Sequence, residues 1–141
     1  MRRGVLAGLA VWAAGCVGLR AQLSDLELVE SVKTDIKTFR RQHGISRCVM
    51  IWCGSTEAHL KPAEVHDSLA NFEAGLKSND PNISPSMIYA YAALTSGIPY
   101  INGAPNLTVD IPAMVELADQ CQVAIVGKDF KTGQTLMKTI L

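Results

Sequence analysis

The sequence predicts an α/β fold in which the strands of a parallel sheet are joined by crossover helices. Short, almost wholly apolar runs such as Arg47-Cys48-Val49-Met50-Ile51-Trp52-Cys53 suit strands buried on both faces of a parallel sheet. Each run opens into a polar loop, and longer segments with helical apolar spacing lie between the runs. Strand, polar loop and helix recur three times, as in parallel strands linked by crossovers, so every strand would deliver its carboxyl end to the same edge of the sheet. In open α/β folds ligands bind at that edge.

The elements follow in order. Ser24 and Glu27 form a capping box, Leu23 and Leu28 can staple the chain entry, and Leu26, Val29, Val32, Ile36 and Phe39 recur at helical spacing until Gly44. This predicts a helix over roughly 25–43. The run at 47–53 is the first strand, ending in Gly54-Ser55-Thr56-Glu57. Pro62 begins a second helical stretch carrying Val65, Leu69, Phe72 and Leu76, which ends before Ser78-Asn79-Asp80-Pro81. Ser84 followed by Pro85 starts a third helix, with Met87, Ile88, Tyr91 and Leu94 on one side and Gly97 as its stop. Ile98-Pro99-Tyr100-Ile101 is the second strand and leads into Asn102-Gly103-Ala104-Pro105. Asp110 caps a helix through about Gln120, and Gln122-Val123-Ala124-Ile125-Val126 is the third strand.

Composition sets outer limits. A chain of 141 residues with 48% apolar content can bury one real core and is too short for two substantial domains. Thirteen basic residues balance thirteen acidic ones, so no net field points to nucleic acid or an anionic membrane. The basic group at Lys33, Lys37, Arg40, Arg41 and Arg47 lacks interleaved aromatics and is expected to be a solvated helix face. Cys16, Cys48, Cys53 and Cys121 form no C-x-x-C pair and are expected to be reduced, buried thiols, which suits the cytoplasm. His43, His59 and His66 lack ligand spacing and are expected at the surface or in loops, so no metal site is predicted.

Residues 1–22 stand apart: Arg2 and Arg3 precede an apolar run ending near Leu19, which looks like a secretory signal or an artefactual start and is short for a membrane span. That run alone would support a small secreted or membrane-tethered binding protein. Asn106-Leu107-Thr108 is a glycosylation-type triplet, a pattern common by chance.

The densest cluster of charged and hydroxyl residues follows the third strand, in Val126-Gly127-Lys128-Asp129-Phe130-Lys131-Thr132-Gly133-Gln134-Thr135. A phosphate loop is excluded there, because Gly133 is followed by Gln134 where G-x-x-x-x-G-K-[ST] needs lysine. What remains is a helix start whose free N–H groups favour an anion, beside Lys128, Lys131, Lys138 and Asp129. A lysine next to a carboxylate can polarise a carbonyl or move a proton.

Phe130-Lys131-Thr132-Gly133-Gln134-Thr135, Ile101-Asn102-Gly103-Ala104-Pro105 and Ile51-Trp52-Cys53-Gly54-Ser55-Thr56-Glu57 together resemble the myo-inositol-1-phosphate synthases, in order and in register from about Asp35 to Leu141. The resemblance implies a Rossmann-like sheet and an NAD-dependent isomerase that converts glucose 6-phosphate to 1D-myo-inositol 3-phosphate. In such enzymes C5 is oxidised, the product enolised, the ring closed between C1 and C6, and the ketone reduced again. It also implies a homotetramer, with no nucleic-acid or membrane partner. By resemblance Gly54, Ser55, Thr56, Asn102, Gly103, Asp129 and Thr132 would contact the cofactor, and Asp129 and Lys131 would be catalytic.

The chain departs from the family pattern at Lys128, Thr132, Leu136 and within Asn102 to Thr108, and Leu136 replaces a lysine with a side chain that carries no charge. No G-x-G-x-x-G follows a strand, and the family's downstream lysines are not present. The expected organisation is therefore a central fragment: an apolar segment at 1–22, part of an NAD-binding domain at 23–127, and the start of a catalytic domain at 128–141. Such a fragment would be inactive alone, or would serve as a non-catalytic truncated relative.

Overall fold

A computed structural model describes residues 23–54 and 56–130. Helix α1, Asp25–His43, has the bounds its sequence signals imply. Ser24 Oγ accepts from Glu27 N, the Glu27 carboxylate accepts from Ser24 N at 2.7 Å, and Gly44 closes the helix at φ 61°. Its core stripe is Leu28, Val29 and Ile36, so the helix is turned slightly from the expected face and leaves Leu26 40% exposed.

Strand β1 is Met50–Trp52. The stretch expected to form one helix from Pro62 is divided into a 3-10 turn at Glu64–His66 and helix α2 at Leu69–Ser78. Ser68 makes the break, because its extended backbone and its hydroxyl, which accepts from Asn71 N, start a new helix. His66 is 1% exposed, not a surface residue. Its Nδ1 accepts from Ala63 N at 3.0 Å, which leaves Nε2–H to donate to Asn82 O at 2.9 Å, so both ring nitrogens serve the turn.

Helix α3, Pro85–Thr95, starts at the Ser84 cap as its sequence implies, and is apolar on nearly every side because it runs through the middle of the helix layer. Strand β2 is Tyr100–Asn102, helix α4 is Pro112–Cys121, and strand β3 is Ile125–Val126. Asp110 does not cap α4: the cap position is Ile111, and the Asp110 carboxylate turns back to accept from Thr108 N at 3.0 Å.

The three strands pair in parallel in the order β1-β2-β3, with Met50 opposite Tyr100 and Tyr100 opposite Ile125. This is the predicted α/β arrangement, in which the four described helices pack on one another as a layer and α3 contacts β2. Tyr100, Phe72, Leu76, Met87, Leu94 and Met114 are fully buried in that layer. Of the three described cysteines none is buried: Cys53 is exposed and Cys48 and Cys121 are half-buried, all as free thiols. Among the described residues no helix is long and apolar enough to cross a membrane.

Candidate functional site at the carboxyl edge of the sheet

Each strand ends where a polar loop begins, so the β1, β2 and β3 loops meet along one edge. The β1 and β2 loops are tied together and to α3 through Glu57. Its carboxylate accepts from Ser86 N at 2.8 Å and from Ser86 Oγ at 2.6 Å, and its own N–H donates to Asn106 Oδ1 at 2.9 Å. Because the Ser86 hydroxyl gives its one proton to Glu57, the Thr108 hydroxyl 2.8 Å away and the Ser84 hydroxyl 2.9 Å away act as donors to Ser86. The positive end of the α3 dipole is thereby neutralised by the protein's own carboxylate, and an incoming anion finds it occupied.

Asn102 is 1% exposed, and its side chain is committed to the β2 loop, donating to Asn106 O at 3.0 Å and accepting from Ala104 N at 3.1 Å. Gly103 stands where the three loops are closest. Its N–H donates to Trp52 O at 2.9 Å, and a Cβ there would collide with the Phe130 ring and the Trp52 carbonyl. A Cβ on Gly54 would lie 2.8 Å from the Trp52 indole, so this glycine lets the β1 loop fold over that ring. Thr56 is exposed beside it.

After β3 the backbone is unusual. Gly127 has φ 104° and passes so close to Asn102 that a Cβ would strike its carbonyl oxygen. Asp129 follows with φ 76°, a left-handed conformation uncommon outside glycine, and its side chain is exposed. Lys128 Nζ reaches Asp110 Oδ2 at 2.7 Å. Burial would raise the Asp110 pKa, but the Lys128 ammonium and the Thr108 N–H outweigh it and hold the carboxyl below its ordinary range. Ser55, Lys131 and Thr132, and with them the expected anion-binding helix start, lie outside the described residues.

Between residues 56–60 of the β1 loop and 105–107 of the β2 loop lies a pocket of about 240 Å³. Two buried donors at this edge have no partner among the described residues, Nδ2 of the pocket-lining Asn106 and Trp52 Nε1 at the end of β1. Buried donors are nearly always satisfied, so a pair left open marks a place suited to acceptor oxygens of a ligand or water. Ligand pockets for drug-sized molecules run to roughly 300–1,000 Å³, so this one is smaller than such a site. Asn106 is 7% exposed and Thr108 fully buried, which leaves the Asn106-Leu107-Thr108 triplet inaccessible to a glycosylating enzyme in the folded chain. Among the described residues no three His, Cys, Asp or Glu side chains are grouped to hold a metal.

Residues 13–140 match the family model for myo-inositol-1-phosphate synthase, which is its NAD-binding domain. The chain belongs to this family. It is 49% identical over 116 residues to inositol-3-phosphate synthase 1 of Bacteroides thetaiotaomicron, covering 82% of this chain and 27% of that protein. It is 32% identical over 114 residues to the inositol-3-phosphate synthase of Saccharomyces cerevisiae, covering 80% and 21%. The crystal structure of the inositol-3-phosphate synthase of Caenorhabditis elegans superposes with a TM-score of 0.75 at 32% identity, over 82% of this chain and 22% of that one. The chain thus spans about a quarter of the length of the relatives it matches. The three-stranded parallel sheet corresponds to the Rossmann-like NAD-binding domain of these synthases. The family match overlaps the second half of the apolar segment at 1–22.

The residue that sequence reasoning passed over is Glu57 in its structural role. It was legible as part of a motif, but its partners Ser86 and Asn106 are 29 and 49 residues away, and no local pattern announces them.

Proposed function

We propose that this chain supplies one wall of the active site of an NAD-dependent isomerase that converts glucose 6-phosphate to 1D-myo-inositol 3-phosphate. The observation that carries the reading is the pair of loops after β1 and β2, which Glu57 locks together around a pocket lined by Asn106, whose Nδ2 has no partner among the described residues. NAD, when bound, would supply a hydride acceptor and donor for a conversion with no net change of oxidation state. In this reading Gly54, Ser55 and Thr56 form one side of the cofactor's binding surface. Asn102 shapes the opposite loop, and Gly103 allows the two strands to close up. Asp129 and Thr132 meet the cofactor at its reacting end. Asp129 and Lys131 serve the substrate, the lysine offsetting negative charge on an enolate or phosphate oxygen and the carboxylate moving a proton. The left-handed backbone of Asp129 is in keeping with such a role, because strained conformations gather at working sites.

Binding of the whole dinucleotide needs a phosphate grip that these residues do not provide, since the chain contains no G-x-G-x-x-G after a strand. The isolated chain is therefore expected to bind NAD weakly by calorimetry, and micromolar affinity would contradict this division of labour. A homotetramer and a cytoplasmic setting belong to the same reading. The test of function is a chimera in which residues 23–141 replace the matching segment of the Bacteroides thetaiotaomicron synthase. NAD-dependent formation of inositol phosphate within about tenfold of the parent supports the proposal. A folded chimera that binds NAD and makes no product would assign this chain to a non-catalytic relative.

A further inference from the structure

Asn102-Gly103 is the one asparagine–glycine pair in the sequence, since Asn71, Asn79, Asn82 and Asn106 all precede larger residues. Such a pair is chemically labile, because glycine has no side chain to keep its own backbone nitrogen from attacking the asparagine Cγ. The packing demands both residues. A Cβ on Gly103 would lie 2.6 Å from Trp52 O and strike the Phe130 ring. Asn102 uses both halves of its amide, Nδ2–H donating to Asn106 O at 3.0 Å and Oδ1 accepting from Ala104 N at 3.1 Å, which a carboxylate cannot do. The same contacts hold the reaction off. Ring closure brings the Gly103 nitrogen alongside Asn102 Cβ, whereas Asn102 ends strand β2, where a ψ of roughly +115° keeps the two apart. The Gly103 N–H, whose proton must leave before the nitrogen can attack, is bonded to Trp52 O at 2.9 Å.

We propose that Asn102-Gly103 is a spontaneous deamidation site which the closed β1 and β2 loops protect, and that reaction there, once the loops have opened, stops them from closing again. In the opened chain the Gly103 nitrogen gives its proton to hydroxide and bonds to Asn102 Cγ. The Cγ–Nδ2 bond breaks, and Nδ2 takes a proton from water and leaves as ammonia. Water then opens the succinimide ring at either carbonyl, which leaves aspartate or isoaspartate at position 102. Aspartate presses an ionised oxygen against the Asn106 carbonyl at a buried position. Isoaspartate adds a methylene to the backbone and shifts Gly103 away from Trp52 O. Either product cuts the tie from β2 to Asn106, whose Oδ1 accepts from Glu57 N and so joins the two loops. None of this depends on the catalytic assignment, and an inactive chain would behave alike.

The experiment incubates the full chain in warm neutral buffer, with and without denaturant. Peptide mapping follows conversion at each asparagine, and an isoaspartate methyltransferase marks the isoaspartate fraction. In denaturant Asn102 is expected to react ahead of the other four asparagines. In native buffer its rate should fall about 100-fold, because the bonds of Gly103 N, Asn102 Nδ2 and Asn102 Oδ1 must all open, at about fivefold each. Equal rates in the two conditions would overturn the protection, and another asparagine reacting first in the denatured chain would overturn the site. Asn102→Asp tests the second half. Amide hydrogen exchange at Gly103 and Ala104 should quicken about tenfold while the middle of α3 stays protected. Exchange at the parent rate would overturn the claim that the product holds the loops open. A variant that does not fold supports that claim in stronger form, and the rate ratio measured on the parent still decides the first half.

Discussion

In the loop after β2, Thr108 is fully buried and Asn106 is 7% exposed, whereas Lys128, Asp129 and Phe130 after β3 are all exposed. The two regions leave the same edge of one sheet. The loops after β1 and β2 turn their hydroxyls, amides and the Glu57 carboxylate on one another, so nearly every polar group there has a protein partner. Among the described residues the segment after β3 has one ion pair and two departures to positive φ, at Gly127 and at Asp129. A network of short internal bonds holds a wall in place, while an exposed carboxylate on strained backbone is free to meet a ligand. Under the proposed function the β1 and β2 loops would position and the β3 segment would react.

The largest effect should come from the point where the two regions touch. Gly127→Val would force a β-branched residue to φ 104° and drive its Cβ into the Asn102 carbonyl. Strain and overlap together should cost about 3–4 kcal/mol, read as a fall in the denaturant midpoint. A loss under about 1 kcal/mol would mean that the β3 segment is not seated on the β2 loop as described.

Asp129→Asn separates the regions by function. Asparagine tolerates the left-handed region as well as aspartate, so stability should change by less than about 0.5 kcal/mol. In the chimeric synthase, turnover should fall about 100-fold, the usual contribution of a proton-transfer group. Full activity would remove Asp129 from the chemistry and leave its backbone strain without a functional reason.

Glu57→Ala attacks the positioning side. It strips two hydrogen bonds from the α3 N-terminus and leaves the Ser86 N–H and hydroxyl without their carboxylate, which should cost about 2 kcal/mol. Glu57→Gln keeps the shape and gives up the charge, and should cost about half as much. In the chimera the alanine variant should raise the apparent KM for NAD more than it lowers kcat, because a wall has moved and no reacting group has been lost. Equal damage to both parameters would place Glu57 among the reacting groups.

Much of this architecture was legible in the sequence, where local chemistry decides it. Ser24 with Glu27 and Ser84 with Pro85 set the starts of α1 and α3, and the apolar runs placed all three strands and therefore the edge where their loops meet. What escaped notice depends on distant partners. The periodicity of Val65, Leu69, Phe72 and Leu76 runs unbroken past Ser68. The new helix there is fixed partly by Glu116, whose carboxylate accepts from Leu69 N across 47 residues. Asp110 has the residue type of a helix cap, but Lys128 and Thr108 compete for its carboxylate and win. His66 is read as a loop histidine by spacing and becomes a core residue because Ala63 N and Asn82 O satisfy both its ring nitrogens. The site followed the same rule: its loops were visible as motifs, and the bonds between them were not.

The smallest expected effect belongs to the one ion pair on the exposed side, and its pH dependence shows whether charge or packing is responsible. Lys128 is 65% exposed and Asp110 27%, so removing the pair with Lys128→Ala should cost only about 0.5 kcal/mol at neutral pH. The Asp110 carboxyl is held below its ordinary value, so the stabilisation is present above the unfolded-state pKa of about 3.9 and is lost as pH falls through the lower folded-state value. The difference in melting temperature between parent and variant should therefore be constant from pH 7 to about pH 5 and vanish as the solution is taken below about pH 4. Added salt at neutral pH should shrink it as well, since the pair is open to solvent. A difference that survives at low pH and high salt would instead come from the lysine's methylene chain lying against the β2 loop, and the β3 segment would then be packed more like the wall than like the reacting edge.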